Sequence, residues 1–179
     1  MTAENSRTRT APDLSQFPIR RRGAYLEKFT IGETFEHHWG RTLGEADNTL
    51  FSTILGHWSP LYLNAEFARS HGHPKRLVNP FLVLCTVVGL SVEDLSESGG
   101  PFVGIEDCVF EAPVYVEDTI RAQSVVLASR VSASRPGHGI VTWQTTAYNQ
   151  NDELVLRYVR KNLIAELDHL NIPIPAKEL

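Results

Sequence analysis

The sequence predicts one α+β domain in which an antiparallel sheet wraps around a long central hydrophobic helix. Three observations predict it. Leu77 to Val92 is an apolar run without a charged side chain, opened by Asn79 and Pro80. The second half of the chain alternates apolar and polar residues with period two in segments separated by turn residues. One strand-like segment, Glu33 to Arg41, comes before the run. A helix that is apolar all round must be covered on most sides, and a sheet with one apolar face must cover something, so each satisfies the other. A split β-α-β ferredoxin-like domain fits less well, because the strands come consecutively at the end.

The elements follow in order. Residues 1–22 read as a flexible arm carrying Arg7, Arg9, Arg20, Arg21 and Arg22, and no apolar stretch follows them as a secretory signal requires. Residues 23–165 form the domain. Thr42, Leu43, Gly44 and Glu45 read as a capping box, with Thr42 accepting from the third amide on and Glu45 reaching back. The helix it opens places Leu50, Phe51, Ile54 and Leu55 on one face. Ser59-Pro60 breaks it, and Asn64 caps a short helix through Ala65, Phe67 and Ala68. Asn79 caps the helix of Phe81 to Val92 with Pro80 at its first position, a cap worth about 1 kcal/mol. Val87 and Val88 favour a strand locally, but the length of the run argues for a helix. Phe102 to Glu111 is a strand closed by Pro113. Three more follow, with Ile120, Ala122, Ser124, Val126 and Ala128 on one face, then Val141, Trp143, Thr145 and Ala147, then Val155, Arg157 and Val159. Gly137-His138-Gly139 and Asn151-Asp152 are the turns. Residues 166–179, with Pro173 and Pro175, are a tail.

Bulk properties narrow the function. A chain of 179 residues with 42% hydrophobic and 21% charged residues builds a core without staples. A net charge of -4 gives no reason to expect nucleic acid as a partner. The apolar run is short for a membrane span and is interrupted by Pro80 and Gly89, so no membrane partner is expected. Cys85 and Cys108 are not at metal-ligand spacing, which suits free thiols in a cytoplasmic protein. The phosphate loop of nucleotide hydrolases, the dinucleotide fingerprint and the nucleophile elbow of Gly-x-Ser-x-Gly are absent from the sequence. Neither cofactor nor metal is expected.

Several motifs then carry a resemblance. Glu45-Ala46-Asp47-Asn48 with Phe51, and Pro60-Leu61-Tyr62-Leu63-Asn64 with Phe67-Ala68, resemble the MaoC-like hydratases, in particular the branch with mesaconyl-CoA and itaconyl-CoA hydratases. Leu77-Val78-Asn79, Gly89-Leu90-Ser91-Val92, Asp118-Thr119-Ile120-Arg121, Ser134-Arg135-Pro136 and Tyr148-Asn149-Gln150 fit the same branch, and the likeness runs from about Thr42 to Asn162. It implies a hotdog fold and a homodimer or a multiple of dimers. It also implies a thioester substrate, on coenzyme A or a carrier protein, and reversible addition of water across a conjugated double bond.

The resemblance also locates a site and shows where this chain departs. In the family an acid and a histidine five residues later flank the water, in Gly-Asp-x-Asn-Pro-Leu-His. Here the stretch is Gly56-His57-Trp58-Ser59-Pro60-Leu61-Tyr62, so His57 and Tyr62 take those positions. Imidazole titrates near neutral pH and suits a base, while a phenol suits a donor. The family's backbone donor to the thioester oxygen falls at Pro80, which has no N–H, leaving Phe81, Leu82 or the Asn79 side chain for that task. Asn64 and Arg135 complete the candidate substrate-binding set, Arg135 as a partner for a phosphate. Asp47 is a further candidate carboxylate, beside the bland reading of Glu45 as a cap. His37 and His38 read as structural, and His71 and His73 flank Gly72 without further ligands. The expected function is hydratase or dehydratase on an enoyl or 3-hydroxyacyl thioester. The alternatives are a repurposed hotdog enzyme (decarboxylase, isomerase or thioesterase) and a non-catalytic acyl-thioester-binding subunit.

Overall fold

The period-two segments become strands long enough to curl. A computed structural model describes residues 24–97 and 100–169. The order is β1 (Thr34–Thr42), α1 (Glu45–Ile54), α2 (Pro60–Leu63), α3 (Ala65–Ser70), α4 (Pro80–Leu90), α5 (Val92–Leu95), β2 (Phe102–Phe110), β3 (Thr119–Val131), β4 (His138–Tyr148) and β5 (Leu154–Ala165). The five strands form one antiparallel sheet in the order β1-β3-β4-β5-β2. Irregularities between His37 and Arg41, Glu106 and Val109, and Val126 and Ala128 bend the strands, as bulges do. The curled sheet buries Ile120, Ala122, Ala147, Val155, Leu156 and Tyr158 against Leu82, Val83 and Val87 of α4. A second cluster, built on Trp143, Phe29, Leu95 and Ile164, lies at the other end. Among the described residues no helix is long and apolar enough to cross a membrane.

Three expectations need correction. The capping box is shifted by two residues: Thr42 stays in β1, where its hydroxyl bonds that of Thr119 at 2.7 Å, and Gly44 becomes the cap. Asp47, not Glu45, then accepts from the Gly44 N–H at 3.1 Å. Of the apolar residues of α1, Phe51 packs against the core while Leu50, Ile54 and the following Leu55 are exposed, and Asn48 and Ser52 are buried. The central helix ends at Leu90 and Val92 opens α5. It also leaves Phe81, Cys85 and Gly89, at fourfold spacing, exposed. The phase of β5 is reversed after Val155: Leu156, Tyr158 and Arg160 are buried, and Arg157 and Val159 lie on the more open face. An irregularity between Ala147 and Tyr148 lets Val155 and Leu156 both enter the core.

The arm expected at 1–22 and most of the expected tail lie outside the described residues. The tail's start does not: the Glu166 N–H donates to the Gly137 carbonyl at 2.9 Å.

Candidate active site

Backbone geometry at the end of α1 delivers His57. Gly56 adopts φ +67°, the left-handed conformation that glycine accepts without strain. The His57 N–H then bonds the Ser52 carbonyl at 2.9 Å and the Gly56 N–H that of Thr53 at 3.1 Å. These are the two bonds of a Schellman stop, and they fold His57 back toward the core. Pro60 opens α2, which brings Tyr62 around: the His57 and Tyr62 rings meet edge to face, with centroids 5.2 Å apart. The Phe81 ring lies 6.0 Å from that of His57.

A pair of buried asparagines holds this corner. Asn79 Oδ1 accepts the Phe81 N–H at 3.0 Å, the cap that the sequence predicts. Its amide donates to Ser52 Oγ and to His57 Nδ1, both at 3.1 Å. Asn48 Oδ1 accepts the Asn79 N–H at 2.8 Å, and Asn48 Nδ2 donates to the carbonyls of Tyr62 and Leu77 at 3.0 Å each. Every amide group of both side chains is thus engaged with good geometry, which fixes α1, α2 and the start of α4 relative to one another.

The first-turn amides of α4 are already occupied. Phe81 N–H goes to Asn79 Oδ1, and Leu82 and Val83 N–H go to the Asn79 carbonyl at 2.9 and 3.2 Å. The expected backbone donor from Phe81 or Leu82 is therefore engaged, and Pro80 offers none. An open groove of about 250 Å³ runs from Tyr62 and Pro80 past Val83 to Phe110, Glu111 and Val114. His57 faces the adjoining hollow with Leu55, Gly56 and Phe81. The two rings stand at the border of these depressions rather than inside one cavity. Partial burial raises the Tyr62 phenol above its ordinary value near 10, so it stays protonated.

The other candidates fall elsewhere. Asn64 Oδ1 accepts the Phe67 N–H at 3.0 Å and serves as the α3 cap. Asp47 spends its oxygens on Gly44 and Arg41. Arg135 is exposed in the β3–β4 turn, at the far end of β3 from the Thr119 end that neighbours Thr42. His71 bonds back to the Phe67 carbonyl, and His73 reaches the Tyr115 hydroxyl at 3.2 Å. His37 is buried, with Asp94 at 2.7 Å and Ser124 at 2.8 Å, and burial lowers its pKa despite the carboxylate. Sequence reasoning missed Asn48 and Ser52 as site supports, and Glu111 as the groove's carboxylate. The signal for the first two was there: they are one turn apart on α1, opposite Leu50 and Ile54.

The chain matches the mesaconyl-CoA hydratase family over residues 6–172. It belongs to that family. A mesaconyl-CoA hydratase of Haloarcula hispanica is 34% identical over 152 residues, covering 84% of this chain and 42% of that protein. This member of the mesaconyl-CoA hydratase family therefore spans less than half the length of that curated relative. A solved structure described as a putative MaoC domain dehydratase from Chloroflexus aurantiacus superposes with a TM-score of 0.78 at 30% identity, covering 88% of this chain and 44% of that one. A Mycobacterium tuberculosis protein described as a double hotdog fold superposes at 0.76 and 23% identity, with 90% of this chain and 50% of that one covered. The α+β sheet around α4 is thus a hotdog fold.

Proposed function

We propose that this chain adds water to, or removes it from, an acyl thioester, with His57 and Tyr62 facing the reacting atoms. The observation that carries the reading is the contact of these two rings at the start of α4, beside an apolar groove. An imidazole and a protonated phenol side by side are groups suited to proton transfer and to polarising a carbonyl. The groove's walls, Pro80, Val83, Phe110 and Val114, suit a short acyl chain. Coenzyme A is the proposed carrier, since the names of the relatives specify CoA esters.

We assign a second hotdog unit, supplied by another copy of this chain, to the exposed apolar surface around the site and to the open sheet edge. Leu50, Ile54, Leu55, Trp58 and Phe81 are exposed around the site, and Phe102, Val103 and Phe110 are exposed on β2, an edge strand. Apolar surface of this kind favours association, and an open strand edge favours pairing. A symmetric dimer covers both. Cys85 and Cys108, both free, fit a cytoplasmic setting. The test is spectroscopic: purified protein should bleach the conjugated absorbance of a short enoyl-CoA without releasing a thiol. Thiol release instead indicates a thioesterase, and binding without turnover a carrier of acyl-CoA.

A further inference from the structure

We infer that Asn79 holds His57 as the neutral tautomer with its proton on Nε2, so that His57 meets the substrate as a hydrogen-bond donor and not as the base. What the donor is aimed at rests on the hydratase reading; the tautomer does not. The surroundings of the Asn79 amide fix its orientation. Its oxygen caps α4 through the Phe81 N–H at 3.0 Å. Turning the amide over would set its NH2 against that N–H, two donors facing each other, and remove the cap. The NH2 is therefore directed to Ser52 Oγ and His57 Nδ1. At 3.1 Å from a donor, Nδ1 must accept. A neutral imidazole that accepts at Nδ1 carries its hydrogen on Nε2.

A ring in this state is poorly placed to take a proton from water, because Nδ1 is filled and Nε2 is protonated. It is well placed to donate. The first-turn amides of α4 are engaged internally, so the two touching rings offer the donors Nε2–H and the Tyr62 hydroxyl. Their task would be to donate to a thioester oxygen held at the border of the groove and the hollow, which gains charge as the enolate develops. Asn79 is the positioning residue for this arrangement. Base work then falls to another group; the groove that Tyr62 lines holds the carboxylate of Glu111, whose Oε1 accepts from Arg157 Nε at 2.5 Å.

Two arms test it. Nitrogen NMR of the full-length labelled protein reads the tautomer directly, with the His57 signals assigned by their loss in His57→Gln. The expected pattern is pyridine-like Nδ1 and pyrrole-like Nε2. In Asn79→Asp, which keeps an acceptor for Phe81 but replaces the donor, the proton should move to Nδ1. A pyrrole-like Nδ1 in the wild type overturns the inference. The second arm is turnover. His57→Gln keeps a donor and cannot act as a base, so it should stay within about tenfold of wild type while His57→Ala falls about a hundredfold. If Gln falls as far as Ala, the donor role is wrong. If no thioester turns over, the hydratase reading fails while the NMR arm still decides the tautomer.

Discussion

Asn79→Ala should cost more than a helix cap. The lost cap on the Phe81 N–H is worth about 1 kcal/mol. The truncation also removes the donor to Ser52 Oγ, which is fully buried, and a buried group left without its partner costs a further 1 kcal/mol or so. The space left by the amide adds a small cavity term. The bond from the Asn79 N–H to Asn48 survives, since it is backbone. The sum is about 2–3 kcal/mol. For a domain of this size that corresponds to a fall of roughly 4–12 °C in Tm. Urea unfolding at one fixed protein concentration measures it, with an unchanged slope required for the comparison. Asn64→Ala is the internal control, because Asn64 caps α3 through one exposed bond and supports no network. If Asn79→Ala costs no more than Asn64→Ala, the buried asparagine network contributes nothing and the account of this corner is wrong.

The remaining predictions concern other parts of the molecule. Burial depresses the folded pKa of His37, so the unfolded chain binds the proton more readily, and the contribution of His37 to stability is present above about pH 6.5 and lost as pH falls. Unfolding midpoints between pH 7.5 and 5.5 should drop for the wild type and flatten in His37→Gln; equal slopes would refute this. Gly56→Ala should cost about 1–2 kcal/mol through the left-handed backbone, and turnover should fall with it, because the same turn delivers His57; unchanged activity would separate the turn from the site. Light scattering at micromolar concentration should give a dimer or a multiple of it, and a monomer would remove the proposed second unit.

The layer architecture was legible because two periodicities stand side by side in the sequence. The faces of Val141 to Ala147 and Ile120 to Val126 were read directly, and the Asn79-Pro80 signal gave the start of α4. The errors share a cause. Periodicity cannot detect a bulge, so one irregularity near Ala147 and Tyr148 put Arg157 and Val159 on the wrong face. Helical spacing groups Leu50, Phe51, Ile54 and Leu55 but does not say which residues turn inward; Asn48 and Ser52 do, beside Phe51, through hydrogen bonds at the corner. The positions of His57 and Tyr62 came from a resemblance, and their contact required Gly56 and Pro60 to turn the chain. The occupied amides of α4 were invisible, since hydrogen-bond partners are set by the fold and not by residue type.

The central claim is that His57 and Tyr62 form the working corner of a hydratase site. Steady-state hydration of a short enoyl-CoA by wild type, His57→Ala and Tyr62→Phe, each verified as folded, tests it most directly. Wild type should consume the conjugated thioester, and each variant should lower turnover by about a hundredfold. Full activity in both variants, alongside an active wild type, would contradict it.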